Sequence, residues 1–425
     1  MRPAAIVCTI LLATQARADD WFAQQSPNLL ALYHHLHSHP ELSFHEAETS
    51  KRIAEELRQT GAEVTTGLGK YGVVGVLKNG EGPVVLVRSD LDALPIVEQT
   101  GAPYASKVTT ADDEGKTVGV MHACGHDVHM TCLVGTARWL AEHKDRWKGT
   151  VILVGQPAEE KIGGAKAMLA DGLYTRFPKP NYALALHVAH DLPTGKLAYT
   201  RGPAMASSTS LDILVRVKGG HVARPNDTID PIVLAAALVL DLQTIVSREI
   251  NPLDPSVVTV GSIHGGSKHN IIPSEVRLQL TIRSYKPEVR SHLIEAITRK
   301  AKGLAIAHRA PEPEVVISDD TPPTINTPGL VDRVVPSLKK AVGESNVEEV
   351  EPTMGAEDFG LFSTGGVPIF MFRLGTIPPQ RFDEARARGE TLAPIHSPLY
   401  QPDAPPSIET GVKAMTAAVV DLLPR

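Results

Sequence analysis

Residues 121–127 of this 425-residue chain read MHACGHD and place a thiol and imidazoles just before an apolar, helix-like segment. Further along the chain lie QPAEE at 156–160 and two separate histidines. Thiolate, imidazole and carboxylate are the ligands that Zn²⁺ and similar ions take in proteins, and one catalytic zinc needs only three of them. Five candidates are present: Cys124, His126, Glu160, His187 and His396. With Glu159 adjacent, this excess predicts two ions ~3.5–4 Å apart, the arrangement used by dinuclear hydrolases.

Each of these residues also has a simpler interpretation when it is taken alone. Cys124 and His126 would fit a buried thiol and a histidine that caps a helix. Glu159 and Glu160 would fit the solvated first turn of a helix, where carboxylates are favoured by the helix dipole. His187 would fit a histidine of the core. It is their joint occurrence that favours a metal site.

Length and apolar periodicity predict an α/β chain with two domains. The chain exceeds the ~250–300 residues at which a single core stops growing. Helix-like segments and buried, strand-like runs alternate up to about residue 188, which predicts a mostly parallel sheet with helices on both faces. The candidate ligands follow such strands or begin such helices, and ligands bind at that edge of open α/β sheets.

A second unit is predicted inside the first. From 206 to 319 the pattern changes to β-α-β-β-α-β, the order of the ferredoxin-like unit. Because His396 lies beyond it, this unit must be an insertion, and the TPP segment at 321–323 suits a return hinge. The catalytic domain is therefore expected to comprise 19–205 and 320–425.

The N-terminus has the pattern of a removable secretory peptide. A basic residue at position 2 precedes an apolar stretch at 4–13, and ARA at 16–18 forms an A-x-A cleavage site. We therefore expect residues 1–18 to be removed and the mature protein to be secreted or periplasmic. The alternative is a cytosolic chain with an apolar first helix.

Composition excludes several classes of partner. The net charge of −6 comes without runs of like charge, so nothing points to nucleic acid or to an anionic membrane surface. We expect no segment after the N-terminus to be apolar for long enough to span a bilayer. Once the leader is removed, Cys124 and Cys132 remain, and a disulfide between them would consume a proposed ligand. The expected partner is therefore a small-molecule substrate.

Motifs along nearly the whole mature chain closely resemble the M20 metallopeptidase family. The resemblance is strongest to its amidohydrolase branch, which includes hippurate hydrolases, N-acyl-amino-acid amidohydrolases and auxin-conjugate hydrolases. The motifs are HSHPEL (37–42), RSDLDALP (88–95), MHACGHD (121–127), QPAEE (156–160), GGH (219–221), NIIP (270–273), MGAEDF (354–359) and HSP (396–398). They are specific for the family and poorly specific for the substrate. The resemblance implies a catalytic domain with an inserted lid, and a homodimer formed through that lid.

The resemblance also implies roles in the catalytic domain. Cys124 would bridge two divalent ions, with His126, Glu160, His187 and His396 completing the pair. Glu159 would be the general base that takes a proton from water and delivers it to the leaving amine. Asp92 would orient a ligand, although an aspartate is also common in a turn before proline. Zn²⁺ or Mn²⁺ is expected, and Ni²⁺ or Co²⁺ is permitted.

Three residues of the inserted unit resemble functional residues of the family. His221 would reach the oxyanion in the partner subunit, while Asn270 and Arg283 would hold the substrate carboxylate, which suits the planar fork of arginine. An exposed residue at the end of a strand is the alternative for Arg283. Two positions depart from the branch: Asn226 stands where a histidine is common, and Lys161 stands where a glycine is usual.

The sequence thus predicts a metal-dependent amidohydrolase acting on N-acyl amino acids or related small amides. A dipeptidase or carboxypeptidase is the alternative within the family, since a peptide bond is also an amide beside a carboxylate. A noncatalytic binding protein is the alternative from another class. Such a protein needs ligands but no general base, so Glu159 argues against it.

Overall fold

A computed structural model describes the backbone from residue 4 to residue 425 and the side chains from residue 21 onward. The predicted leader, residues 1–18, lies outside the residues whose side chains are described. The chain forms two compact units. Unit 1 contains the chain through Gly202 together with Asn326–Val350 and Phe362–Arg425, and unit 2 contains Pro203–Ile325 and Glu351–Leu361.

Helices and strands alternate through much of the described chain. The helices are α1 (Ala4–Ser38), α2 (Ala47–Gln59), α3 (His126–Glu142), α4 (Gly164–Ala170), α5 (Leu173–Arg176), α6 (Pro231–Arg248), α7 (Pro287–Ala307), α8 (Pro328–Val342), α9 (Pro379–Arg388) and α10 (Ala404–Leu422). The strands are β1 (Glu63–Leu68), β2 (Gly72–Asn79), β3 (Val84–Asp90), β4 (Thr109–Ala111), β5 (Thr117–Gly119), β6 (Gly149–Gln156), β7 (Tyr182–Pro193), β8 (Leu197–Tyr199), β9 (Gly202–Met205), β10 (Ser207–Arg216), β11 (Gly220–His221), β12 (Ser256–Gly265), β13 (Ile271–Ile272), β14 (Glu275–Ser284), β15 (Glu314–Thr321), β16 (Thr324–Asn326), β17 (Val347–Glu349) and β18 (Ile369–Ile377).

Unit 1 is built on a sheet with the strand order β1-β2-β6-β3-β7-β18-β8-β17. Its central strands β6, β3, β7 and β18 are parallel neighbours, while antiparallel pairs join β1, β2 and β8 to them. Strands β3 and β6 are buried along nearly their whole length, as expected for parallel strands that are covered on both faces. The predicted α/β fold with a mostly parallel sheet is confirmed.

Strand register brings polar residues to one edge of this sheet. Asp90, the last residue of β3, pairs with Gln156, the last residue of β6. Arg88 of β3 pairs with Ala185 of β7, so His187, two residues further on, lies level with Asp90. Because the three strands are parallel, the segments that follow them emerge side by side.

Unit 2 contains an antiparallel sheet with the strand order β12-β14-β10-β15. Along the chain its elements follow the order β10, α6, β12, β14, α7, β15, which is β-α-β-β-α-β. Alternate residues of β10 and β14 face the core of the unit, where they pack with side chains of α6 and α7.

Residues 351–361 belong to unit 2, whereas the boundaries predicted from sequence leave them in the larger domain. Thr353 forms a β-bridge with Met205, and the Ala206 N–H donates to the Gly355 carbonyl oxygen at 2.8 Å. These backbone contacts join segments about 150 residues apart in sequence, so local periodicity carries no sign of them.

Helix α6 corrects the expectation that no segment after the N-terminus is long and apolar enough to cross a bilayer. With a mean hydropathy of 1.5 it meets that test of length and composition. One stripe of the helix nevertheless packs in the core of unit 2, formed by Leu234, Leu238, Leu242 and Ile245. The core helix of a globular domain passes the same test, so apolar length alone decides nothing here.

Candidate metal centre

A tight turn before α3 presents Cys124 and His126 at the carboxyl edge of the sheet. Gly125, between them, has φ 74°, a conformation that side chains other than glycine rarely adopt. A Cβ atom at this position would also lie 2.7 Å from Val188 Cγ2. Both observations require glycine, which explains why it separates the two candidate ligands.

The Cys124 sulfur lies between two imidazoles. It is 3.6 Å from His187 Nε2 and 3.3 Å from His396 Nε2. The loop of His396 is tied to the turn by its own backbone, since the His396 N–H donates to the Ala123 carbonyl oxygen at 2.9 Å. His396 has φ 66°, so this loop adopts a conformation uncommon for a histidine.

Glu159 and Glu160 approach the same cluster directly after β6. Glu160 Oε1 is 3.4 Å from His396 Nε2 and 3.9 Å from His126 Nε2. Glu159 Oε2 is 3.8 Å from His126 Nε2. Ligand atoms ~2.0–2.3 Å from an ion in tetrahedral geometry are separated by about 3.3–3.8 Å, which is close to these spacings.

The cluster contains overlapping groups of potential ligands. Cys124 belongs both to a group with His126 and His187 and to a group with Glu160 and His396. His126 and Glu160 also form a group with Glu159, so these groups overlap. The structure therefore brings together all five residues that the sequence nominates as ligands.

Two buried atoms of this cluster have no hydrogen-bond partner in the described chain, His126 Nε2 and Glu160 Oε1. Buried polar atoms normally find a partner, because leaving one without any costs free energy. The His126 Nδ1–H donates to the Asp92 carbonyl oxygen at 2.8 Å, so Nε2 is the nitrogen that faces the cluster. The His187 Nδ1–H likewise donates to the Val188 carbonyl oxygen. The donor set therefore fits divalent cations.

The electrostatics of the cluster agree with this fit. Burial, followed by the nearby Glu160 and Glu159 carboxylates, raises the pKa of the Cys124 thiol well above its usual value. Burial disfavours the charged form of His126, yet Asp90 and Asp92 raise its pKa to about 10. Without a cation these groups hold protons, whereas metal ligation needs a thiolate and a neutral imidazole. A divalent ion would supply the positive charge that allows both.

Asp92 contacts two of the candidate ligands. Its Oδ2 accepts hydrogen bonds from the Ser43 hydroxyl at 2.6 Å and from the Glu160 N–H at 3.0 Å. Its Oδ1 is 3.4 Å from His126 Nδ1, and its backbone carbonyl accepts the hydrogen of that nitrogen. Outer carboxylates of this kind orient the ligands of metal sites.

The sequence-based selection did not include Asp90 and His129. His129 Nδ1–H donates to Asp90 Oδ1 at 2.7 Å, and His129 Nε2 accepts from the Val188 N–H at 2.9 Å. Arg88 Nη1 donates to the other oxygen of Asp90 at 2.7 Å. Both nitrogens of His129 are thus occupied, so it supports the backbone beside His187 instead of offering a ligand. Two features of the sequence could have identified them. Asp90 and Asp92 lie at or just after the end of a buried strand, and His129 lies one helical turn after His126.

The three candidate residues of unit 2 lie on or next to two different sheets. His221 is exposed on β11, which pairs with β13, and Asn270 directly precedes β13. Arg283 is half-buried on β14, and its Nη1 donates to the Met354 carbonyl oxygen at 2.7 Å. His221 Nδ1 accepts from the Ala223 N–H at 3.1 Å, so its hydrogen resides on Nε2. His221 can therefore donate a hydrogen bond through Nε2.

The glycines before His221 make a close approach within the chain. A Cβ atom at Gly219 would lie 2.5 Å from the Ile272 carbonyl oxygen, and one at Gly220 would lie 2.6 Å from Thr228 Cγ2. The close packing that these glycines permit is therefore to β13 and to Thr228. It carries no information about a partner subunit.

The two residues that depart from the family pattern, Asn226 and Lys161, both lie at exposed positions. Asn226 is exposed, and its Nδ2 donates to Asp227 Oδ1 at 2.8 Å. Lys161 forms an ion pair with Asp113, which lies in the turn between β4 and β5.

Comparisons with known proteins agree with this geometry. The model of peptidase family M20/M25/M40 matches residues 86–419. The chain is 37% identical to thermostable carboxypeptidase 1 of Saccharolobus solfataricus, over 84% of this chain and 86% of that protein. It is 39% identical to the hippurate hydrolase of Campylobacter jejuni, over 77% and 83%. The crystal structure of a dinuclear metal-binding M20 peptidase from Bacillus subtilis has a TM-score of 0.76 and 29% identity, covering 94% of this chain and 99% of that one.

Proposed function

Because this chain belongs to the peptidase family M20/M25/M40, we propose that it hydrolyses the amide bond of N-acyl amino acids or closely related small amides. Metal-dependent amide hydrolysis is the activity of the family, and the chain is accordingly a dinuclear metal-dependent hydrolase. The observation that carries the proposal is the cluster at the sheet edge, in which the buried His126 Nε2 and Glu160 Oε1 have no hydrogen-bond partner.

The proposed mechanism divides the work between the two neighbouring glutamates. Glu160 would hold metal together with Cys124, His126, His187 and His396, and bound ions would supply polarisation of the scissile carbonyl and a lower pKa of the attacking water. The Glu159 carboxylate takes the proton of the attacking water and then delivers it to the leaving nitrogen. Asp92 would orient His126 through its backbone carbonyl and Glu160 through its Oδ2.

We propose that Asn270 and Arg283 bind the carboxylate on the amino-acid portion of the substrate. Arg283 is half-buried, and one of its guanidinium nitrogens is held by the Met354 carbonyl. A guanidinium group that is fixed in this way loses little further conformational entropy when it binds a carboxylate through its remaining N–H groups. Zn²⁺ or Mn²⁺ are the proposed ions; the Cys124 thiolate favours Zn²⁺, while Co²⁺ and Ni²⁺ also suit imidazole and carboxylate.

A substrate panel tests this function. Hippurate, N-acetyl amino acids and unblocked dipeptides should be compared on protein loaded with Zn²⁺, Mn²⁺ or Co²⁺. We expect the N-acyl amino acids to give the highest kcat/KM. Faster turnover of dipeptides or longer peptides would instead support the carboxypeptidase alternative, which the similarity to the Saccharolobus solfataricus enzyme favours. Tight binding of these compounds without turnover of any would support a noncatalytic binding protein.

We further propose that the protein is secreted or periplasmic and that it is a homodimer. The leader pattern at residues 1–18 supports export, and an exported chain that begins near Asp19 is the result expected from mass spectrometry. Unit 2 supports dimerisation, because it carries most of the large apolar side chains that are exposed in the described chain. They include Ile232, Val233 and Leu240 of α6 and Ile263 of β12. Exposed apolar side chains that are concentrated on one unit suit an interaction surface.

A mixing experiment tests whether His221 serves the partner subunit's site. Loss of a hydrogen bond to the developing oxyanion typically costs ~2.7–4 kcal/mol of transition-state stabilisation. Glu159→Ala and His221→Ala should therefore each be nearly inactive as homodimers. After subunit exchange, roughly half the dimers are hybrids in which one site has regained both groups, so about a quarter of wild-type activity should return. No recovery in mixtures that contain hybrids by native mass spectrometry would contradict a role across the interface.

A further inference from the structure

The loop that carries the two glutamates has a strained backbone. Ala158 has φ 49° and Ile162 has φ 52°, and both are values that residues other than glycine rarely adopt. For a β-branched residue such as Ile162 this conformation is a clear outlier. Strained backbone persists at functional sites only where the surrounding structure holds it in place. The loop 158–163 should therefore have identifiable supports.

The first support is the carboxylate of Glu46, which is fully buried and lies 112 residues before the loop. Its Oε1 accepts a hydrogen bond from the Ala158 N–H at 2.7 Å. The same oxygen accepts from the Phe44 N–H at 2.9 Å, and Phe44 also has a positive φ, of 62°. One oxygen atom thus holds the backbone at two strained positions.

Neighbours of Glu46 support the rest of the loop. The Phe44 ring packs against the far end of the loop, because a Cβ atom at Gly163 would lie 3.2 Å from its Cζ. The Ser43 hydroxyl donates to Asp92, whose same oxygen accepts from the Glu160 N–H. The segment 43–46 therefore contacts the beginning of the loop and its end, and reaches its middle through Asp92.

Glu46 does not have the usual role of a residue at its position. It occupies the N-cap of α2, yet its side chain makes no capping hydrogen bond to that helix. Its Oε2 is buried without a hydrogen-bond partner in the described chain, and no basic side chain is recorded within ion-pair distance there. Burial, followed by the nearby Asp92, raises the pKa of Glu46 to about 7. The Glu46 side chain therefore binds the N–H groups of Ala158 and Phe44 and does not cap its own helix.

We propose that Glu46 is a positioning residue that holds the loop 158–163 so that Glu159 faces the reacting amide and Glu160 faces the metal. This inference rests on the proposed function. This role requires an acceptor oxygen at the distance that a glutamate side chain reaches. The negative charge of the carboxylate matters less for it. Glutamine keeps both the reach and the acceptor, whereas aspartate keeps the charge but is one methylene shorter.

Two substitutions separate these requirements. Glu46→Gln should keep kcat within about threefold of wild type, since a neutral oxygen still accepts both hydrogen bonds. Glu46→Asp should lower kcat by ~10–100-fold with little change in KM, because a displaced catalytic group costs about that much. Metal titration provides a readout that needs no substrate: Glu46→Asp should weaken binding of one ion by ~10–100-fold, and Glu46→Gln should not.

Glu56 provides the matched control, because it is also a buried glutamate of the same region. Its carboxylate accepts hydrogen bonds from Arg52 and Arg138, and within the described residues it forms no hydrogen bond to the loop or to the metal cluster. Glu56→Asp should lower the melting temperature while kcat and metal affinity remain those of wild type. Equal impairment of Glu46→Gln and Glu46→Asp, or wild-type behaviour of both in folded protein, would overturn the role of Glu46. Inactivity of wild-type protein carrying two ions would overturn the proposed function instead, while the metal titration would still test Glu46.

Discussion

Replacement of Glu159 by glutamine is expected to lower kcat by ~10²–10⁴-fold while two ions remain bound, the range for loss of a general acid–base group. Glutamine is nearly isosteric with glutamate but cannot take a proton from water at neutral pH. Glu159 Oε2 lies 3.8 Å from His126 Nε2, beside the metal cluster, and its loss as a base should not remove the five ligands.

Replacement of Glu160 by glutamine should instead affect metal binding. Glu160 Oε1 is buried between His396 and His126, and a neutral amide is a weaker ligand than a carboxylate. Glu160→Gln is therefore expected to lose metal, and to lose activity in proportion to that loss. Elemental analysis and kinetics on the same samples separate the two variants. Glu142→Gln, at the far end of α3 where Glu142 accepts from the Trp21 indole, serves as the control that should change neither quantity. An unchanged kcat in Glu159→Gln would remove the proposed base.

Much of the architecture follows from local pattern. The buried runs that became β3, β6 and β7 predicted parallel strands, and parallel strands place their carboxyl ends at one edge of a sheet. Cys124 and Glu160 lie next to such positions, so their meeting could be expected before the structure was known. His396 follows the inserted unit. Its position beside Cys124 could be predicted only from the chemistry of the ligand set and from family resemblance.

Other features depend on contacts that no local pattern encodes. The bond between Glu46 and Ala158 joins residues 112 positions apart, and the bond between Asp90 and His129 becomes visible only when β3 lies beside α3. Helix α6 was misjudged for a related reason, because the number of apolar residues does not reveal which of them face a core. The glycines before His221 approach β13 and Thr228 within the chain, which the motif alone does not reveal.

Removal of the ions is the second change with a large expected effect, since it should abolish hydrolysis. Without a cation, burial and the nearby carboxylates raise the pKa of Cys124, and Asp90 and Asp92 raise that of His126, so both groups hold protons. The reaction also loses both the polarised carbonyl and the activated water. Because no protein group in the described cluster replaces these functions, apo-protein should have no measurable turnover. Loss of activity should also be reversible, since none of the five candidate ligands belongs to the apolar core of unit 1.

The most direct test is therefore titration of verified apo-protein with Zn²⁺ or Mn²⁺, with metal content and hydrolysis of an N-acyl amino acid measured on each sample. We expect no hydrolysis at zero metal and saturation at two ions per subunit, with full activity restored at that point. Hydrolysis that is undiminished when elemental analysis finds no metal would contradict metal-dependent catalysis.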